Sequence, residues 1–238
     1  MKWCILENDS LDPAAEPLYQ GYGAMFERLL RNAGASGQFD VFNTVRGEYP
    51  ASFDDYDAVL LTGSRADAFS QEPWVLTLRQ KVDQLLQQGK KLVGICFGHQ
   101  LIALCLGARV GRAPQGWGVG RKQYRWLDQT VSPAKDDAPE VALLASHQDQ
   151  VFDLPHGAKL LATSDYCPVA GFTVESQVFC VQPHPEFVPD YSAFLLDKRR
   201  ALLGEETYRT ATQGLVHGHD GPDVARRIVA FIEGGSAD

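Results

Sequence analysis

The stretch Lys91-Leu92-Val93-Gly94-Ile95-Cys96-Phe97-Gly98-His99-Gln100 decides how the chain folds. Lys91 to Ile95 is short, mostly apolar and preceded by Gln88-Gly89, a helix break, so it predicts a buried strand. From His99 to Leu106 the apolar residues Leu101, Ile102, Leu104, Cys105 and Leu106 suit a largely buried helix, which Gly107 ends. Cys96 then stands in the turn between strand and helix, with its thiol at the helix N-terminus. The free amides there carry partial positive charge and favour a thiolate. Gly94 and Gly98 flank the cysteine two positions away on either side, where a sharp elbow would otherwise crowd side chains together.

Outward from this elbow, strand-like and helix-like segments alternate. The pattern predicts an α/β fold with a largely parallel central sheet flanked by helices. Strands are expected at Lys2 to Leu6, Phe39 to Asn43, Ala58 to Thr62, Val141 to Ser146 and Val178 to Gln182. Helices are expected at Pro17 to Asn32, at Pro73 to Gln88, and from Tyr191 onward with a break around Gly214 to Gly221. Between Arg109 and Leu127 the composition shifts to glycine with aromatic and basic residues, which predicts a small β-hairpin region with a turn at Gly116-Trp117-Gly118-Val119-Gly120. No repeat, low-complexity block or linker divides the chain, so one domain over 1–238 is expected, with a core to about 190 and C-terminal helices over about 191–234.

A second motif lies far along the chain, at Gln182-Pro183-His184-Pro185-Glu186. Each proline pushes its predecessor toward extended geometry, and in an extended segment residues two apart point the same way. Glu186 can therefore reach one imidazole nitrogen of His184 while the other faces Cys96. Such an arrangement fixes the tautomer and stabilises an imidazolium. Nucleophile, base and orienting carboxylate together point to covalent thiol catalysis of acyl transfer.

GICFGHQ with a distant HPEF resembles the class I glutamine amidotransferases, from the first strand to about Phe187. The resemblance implies a flavodoxin-like α/β fold and hydrolysis of the side-chain amide of glutamine through a γ-glutamyl thioester. On that pattern Cys96 is the nucleophile, His184 the general base and acid, and Glu186 the orienting carboxylate. The backbone amides of Phe97 and Gly63 would form the oxyanion hole. Gln100 matches the family glutamine that contacts substrate, and Ser146, His147, Gln148 and Asp149 align with a loop at the substrate's amino acid end. Gln148 stands where many members have glycine, and Ser64-Arg65-Ala66-Asp67 replaces a second glycine after Gly63. These features are closer to a free-standing branch that resembles the glutaminase part of guanylate synthase and includes γ-glutamyl peptidases. The resemblance implies no cofactor and no metal. It leaves three readings: a glutaminase whose ammonia serves a separate synthase subunit, which is the first expectation; an autonomous γ-glutamyl peptidase; and a noncatalytic regulatory protein.

A net charge of -8 without a basic cluster argues against nucleic acid or an anionic membrane surface as partner, which leaves small molecules and proteins. No apolar run approaches a membrane span, and Glu7 and Asp9 follow the first strand where a signal peptide would stay apolar, so a cytoplasmic location is expected. Five cysteines without tight pairing fit a reducing compartment, with Cys4, Cys105, Cys167 and Cys180 read as packing residues. His217-Gly218-His219-Asp220 invites a metal reading, but no further ligand set is evident and the segment suits an interhelical loop. Gly111 to Gly120 lacks the ending of a phosphate loop, and Arg65 and Trp117 are read chiefly as a solvated arginine and a packing aromatic.

Overall fold

The computed structural model describes residues 1–127 and 140–234. Its strands are β1 (Lys2–Glu7), β2 (Gln38–Asn43), β3 (Ala58–Leu61), β4 (Lys91–Ile95), β5 (Val110–Arg112), β6 (Gly118–Trp126), β7 (Glu140–His147), β8 (Asp149–Val151), β9 (Lys159–Thr163), β10 (Gly171–Val174) and β11 (Val178–Val181). Its α-helices are α1 (Glu16–Tyr19), α2 (Tyr22–Asn32), α3 (Pro73–Gln87), α4 (Phe97–Cys105), α5 (Pro189–Leu203), α6 (Glu205–Gly214) and α7 (Gly221–Glu233).

Nine strands form one sheet in the order β2-β1-β3-β4-β11-β10-β9-β6-β7. The first five are parallel, and the remaining four continue the sheet in antiparallel fashion. The strand period of two sorts the parallel half into two cores. Trp3, Ile5, Leu60, Val93, Ile95, Phe179 and Val181 face α2 and α7, meeting Phe26, Leu30, Val224, Ile228 and Ile232. Their neighbours Cys4, Leu6, Val59, Leu61, Leu92, Val178 and Cys180 face α3 and α4, meeting Leu78, Val82, Leu101 and Ile102. Because both faces are covered, these strands read as continuous apolar runs rather than alternating ones. A third cluster, with Leu144, Phe187, Tyr191, Leu196 and Leu215, packs α5 and α6 over the antiparallel half. Among the described residues no helix is long and apolar enough to cross a membrane.

Three expectations are corrected. The helix expected over Pro17 to Asn32 is broken at Gln20 and Gly21, whose φ values are 65° and 121°. The Glu7 carboxylate accepts from the Gly23 amide at 3.0 Å and restarts the helix there, a bond that apolar spacing does not reveal. Gly118 and Gly120 belong to strand β6 rather than to a turn. Glycine serves close approach here, since a Cβ on Gly118 would stand 2.6 Å from the Tyr166 ring and one on Gly120 2.8 Å from Ala211 Cα. The C-terminal helical segment breaks once more, at Gly204 with φ 76°. Strands β8, β9 and β10 add to the expected set, β8 taking up Asp149 to Val151 where a loop is expected.

The elbow after β4 is held by contact. A Cβ on Gly98 would lie 2.5 Å from the Leu61 carbonyl oxygen, and one on Gly94 2.8 Å from the Gly98 carbonyl carbon. Gly98→Ala is therefore expected to destabilise the fold by about 1–3 kcal/mol, the usual cost of overpacking. Gly214→Ala, where φ is -67° and the nearest side-chain atom lies 3.5 Å from the added Cβ, should be neutral or stabilising. Urea unfolding of both variants checks the contrast.

Candidate active site

Cys96 sits between β4 and α4 with φ 52° and ψ -101°, outside the regions that L side chains ordinarily occupy. Its amide donates to the Val181 carbonyl at 3.0 Å, and its carbonyl accepts from the Gln100 amide at 3.0 Å, so both neighbouring elements hold the strained residue. Cys96 is the N-cap residue of α4, whose first amides have no partners within the helix.

His184 follows β11, the strand paired with β4. The amide of His184 donates to the Leu144 carbonyl at 2.8 Å, which anchors the segment to β7. Its imidazole is stacked on Phe187 with centroids 3.9 Å apart, and Tyr191 closes edge-on against Phe187 at 4.9 Å. Nδ1 hydrogen-bonds Glu186 Oε1 at 2.7 Å, and the Cys96 side chain lies within hydrogen-bonding reach of the same ring. Burial alone would depress the basicity of His184, but the Glu186 carboxylate and Cys96 outweigh it and hold the imidazole above its ordinary pKa. The three side chains expected to act together are thus adjacent and nearly buried. Gly63 presses on them through its backbone, since a Cβ there would stand 2.7 Å from His184 Cε1 and 3.5 Å from Cys96 Cβ. Phe97, the other expected oxyanion donor, is the first residue of α4.

The expected substrate residues join the same cleft in different ways. Gln100 Nε2 donates to the Asp149 carbonyl at 2.9 Å and to Gln182 Oε1 at 3.0 Å, tying α4 to the start of β8 and to the residue two before His184. His147 Nδ1 contacts the same carbonyl at 3.1 Å, and since a carbonyl only accepts, Nδ1 carries the proton. Burial lowers the His147 pKa to about 3, so the ring is neutral. Gln148 Oε1 accepts from Arg112 at 2.8 Å, and the same guanidinium pairs with Asp149 and Asp67, each at 3.1 Å. Ser146 Oγ accepts from Arg199. The cleft encloses about 370 Å³ and reaches Asp9, Asp12, Trp117, Tyr191, Phe194, Leu195, Lys198 and Arg199 beyond the expected residues.

The remaining singled-out residues take other partners. Arg65 pairs with Asp9 at 2.9 Å. His99 turns into the core beside Phe172, and burial lowers its pKa to about 3. His219 Nδ1 accepts from the Gly221 amide at the start of α7, and the Asp220 carboxylate accepts from the Ala142 amide and docks that end on β7. Cys4, Cys105, Cys167 and Cys180 are free thiols whose pKa values burial pushes up.

A family model described as glutamine amidotransferase class-I matches residues 18–197. The chain belongs to the class I glutamine amidotransferases. Gamma-glutamyl peptidase 2 and gamma-glutamyl peptidase 4 of Arabidopsis thaliana are 32% and 36% identical to it, over 78% and 80% of this chain and 77% and 76% of theirs. The glutamine-hydrolyzing GMP synthase of Streptococcus mutans is 27% identical over 69% of this chain, and the match takes in 32% of that longer protein. A glutamine amidotransferase of Thermotoga maritima superposes with a TM-score of 0.76 at 20% identity, covering 100% of this chain and 99% of that one, which speaks for the shared fold.

In this amidotransferase the surroundings of Asp149 favour its protonated form. Burial, and then the neighbouring Asp67 carboxyl, raise its pKa from 3.8 to about 6 against the pull of Arg112. The folded state thus binds this proton more tightly than the unfolded chain does. Ionised Asp149 destabilises the fold above pH 6, and the penalty fades as pH falls through 6 toward 4. Asp149→Asn should gain stability at neutral pH, where the carboxylate is ionised, and gain little near the acid end of that window. Urea unfolding at pH 7.5 and pH 4 (about those values) reads the difference.

Proposed function

We propose that this amidotransferase is a Cys96-dependent hydrolase of γ-glutamyl bonds that acts on γ-glutamyl peptides. The observation that carries the reading is the reach of the cleft, which continues past Cys96 and His184 to Phe194, Leu195, Lys198 and Arg199 on α5. Glutamine releases only ammonia and needs no such space. The likeness to the plant γ-glutamyl peptidases supports the same choice over the glutaminase expected first.

In the proposed reaction the Cys96 thiolate adds to the γ-carbonyl carbon, and the negative charge that develops on oxygen is held by the Phe97 and Gly63 amides. The carbon–nitrogen bond then breaks, and His184 gives its proton to the leaving amine. A water attacks the resulting thioester, His184 takes its proton, and glutamate leaves as the thiolate reforms. Glu186 keeps Nδ1 protonated, so that Nε2 faces the sulfur. A second reading, a glutaminase that passes ammonia to a separate synthase, draws on the likeness to GMP synthase.

Incubation with glutamine and with a panel of γ-glutamyl peptides, measuring ammonia and free glutamate, separates the two. The peptidase reading expects glutamate release from peptides to exceed that from glutamine and to vanish in Cys96→Ser. Preference for glutamine, or weak turnover that a synthase stimulates, would sink it. Glu186→Gln should lower kcat by about a hundredfold or more, the usual share of general acid–base catalysis. It should also bring the pH at which His184 titrates down, because the carboxylate that favours the imidazolium is gone.

A further inference from the structure

In the sheet β3 lies between β1 and β4, and the chain leaves all three strands at the same edge of the fold. Asn8 follows β1, Thr62 and Gly63 follow β3, and Cys96 follows β4. Thr62 extends the parallel ladder, its amide donating to the Leu6 carbonyl at 3.1 Å. The next rung of a regular ladder would run from the Asn8 amide to the Thr62 carbonyl. Here a side chain takes it over. Asn8 Nδ2 donates to the Thr62 carbonyl at 2.9 Å, and the Asn8 amide donates instead to Thr62 Oγ1 at 2.9 Å. That hydroxyl passes its own proton to the Gly63 carbonyl at 3.0 Å. On its other side Asn8 Oδ1 accepts from Thr44 Oγ1 at 2.9 Å. Asn8, Thr44 and Thr62 are fully buried, where such bonds hold groups most firmly.

The network decides how the backbone at Gly63 is turned. Across a planar trans peptide the carbonyl and the N–H point in opposite directions. The Thr62 carbonyl is held toward β1, so the Gly63 N–H of the same peptide points toward β4, the side on which Cys96 stands. The Gly63 carbonyl is held in turn by the Thr62 hydroxyl. Both peptides flanking Gly63 are thus pinned at a residue type whose backbone is otherwise the least restricted. Gly63 is also the residue whose added Cβ would meet His184 Cε1 at 2.7 Å and Cys96 Cβ at 3.5 Å.

We propose that Asn8, acting through Thr62, is the positioning residue of the oxyanion hole: it holds the Thr62–Gly63 peptide with its N–H turned to Cys96. The inference deepens the hydrolase reading, on which it rests for the oxyanion role of the Gly63 amide. Since buried groups of the chain itself set this peptide, no second protein is needed to turn it.

Asn8→Asp keeps the shape of the side chain but sets an acceptor against the Thr62 carbonyl. It should lower kcat for γ-glutamyl cleavage by about a hundredfold, as for loss of one oxyanion donor, and leave KM near its wild-type value. Asn8→Ala should lose about tenfold or more. Thr62→Val should also lose turnover, which Thr62→Ser, keeping the hydroxyl, should restore. Alkylation of Cys96 by iodoacetamide builds no oxyanion, so mass spectrometry should find it at the wild-type rate in every variant. An unchanged kcat in folded Asn8→Ala, or a loss of turnover matched by an equal loss of alkylation, would overturn the assignment. Crystal structures of Asn8→Asp and Asn8→Ala read the peptide directly. The Thr62–Gly63 peptide should be rotated away from Cys96 in whichever variant folds, and an unmoved peptide overturns the proposal whatever the kinetics. If the wild type cleaves no γ-glutamyl compound, the hydrolase reading fails, and the peptide orientation alone then upholds or overturns the positioning by Asn8.

Discussion

Everything in this molecule is arranged around the contact between Gly98 and the Leu61 carbonyl. A helix can start directly beneath the end of β3 only because position 98 has no side chain, a Cβ there falling 2.5 Å from that oxygen. The close approach forces the chain to turn within one residue, and that residue is Cys96 at φ 52°. Strain of this kind costs about 1–3 kcal/mol and persists only where the surroundings over-determine it. Here they do, through the bonds from Cys96 to Val181 and Gln100 and through the two apolar cores on either face of β4. The core's stability is what keeps a sulfur in an unfavourable backbone position.

The groups around that sulfur come from separate parts of the sheet yet share hydrogen bonds. Gln100 joins α4 to the start of β8 through the Asp149 carbonyl and to the β11 segment through Gln182. The Leu144 carbonyl fixes the His184 amide from the antiparallel half. Displacing one of these segments therefore displaces the others, which gives a buried polar network more weight than its bonds taken singly. Stacking of His184 on Phe187, which Tyr191 backs edge-on, completes the support from the α5 side.

Much of this was legible in the chain itself. Gly94-Ile95-Cys96-Phe97-Gly98 announces its elbow because steric crowding at a tight turn is a local matter, and the proline-spaced His184 and Glu186 declare their common face for the same reason. The parallel strands β1, β3, β4 and β11 are continuous apolar runs, which the eye finds within a residue or so. What stayed hidden depends on distant partners. Strands β9 and β10 are short and become strands by pairing with each other and with β11. The break at Gln20 and Gly21 depends on Glu7, and Gly118 reads as a turn until Tyr166 is seen against it. Arg199 carried no signal, since nothing in Lys198-Arg199-Arg200 tells which of the three faces the cleft. Family membership, fold and the neighbourhood of Cys96 follow from local chemistry, whereas the far end of the cleft follows from how α5 lies.

The order of strands bears on how the protein comes to life. β11 lies in the middle of the sheet, between β4 and β10, although it is among the last strands in the chain. While the ribosome is still making residues before 178, β4 has β3 on one side and an open hydrogen-bonding edge on the other. Cys96 is then next to a bare edge without His184, and pairing between segments so far apart in sequence is intrinsically slow. Insertion of β11 closes the edge and delivers His184 and Glu186 in the same movement. The nascent thiol thus lacks its His184 neighbour until the sheet is sealed, and the cluster around Cys96 is born only with the finished fold.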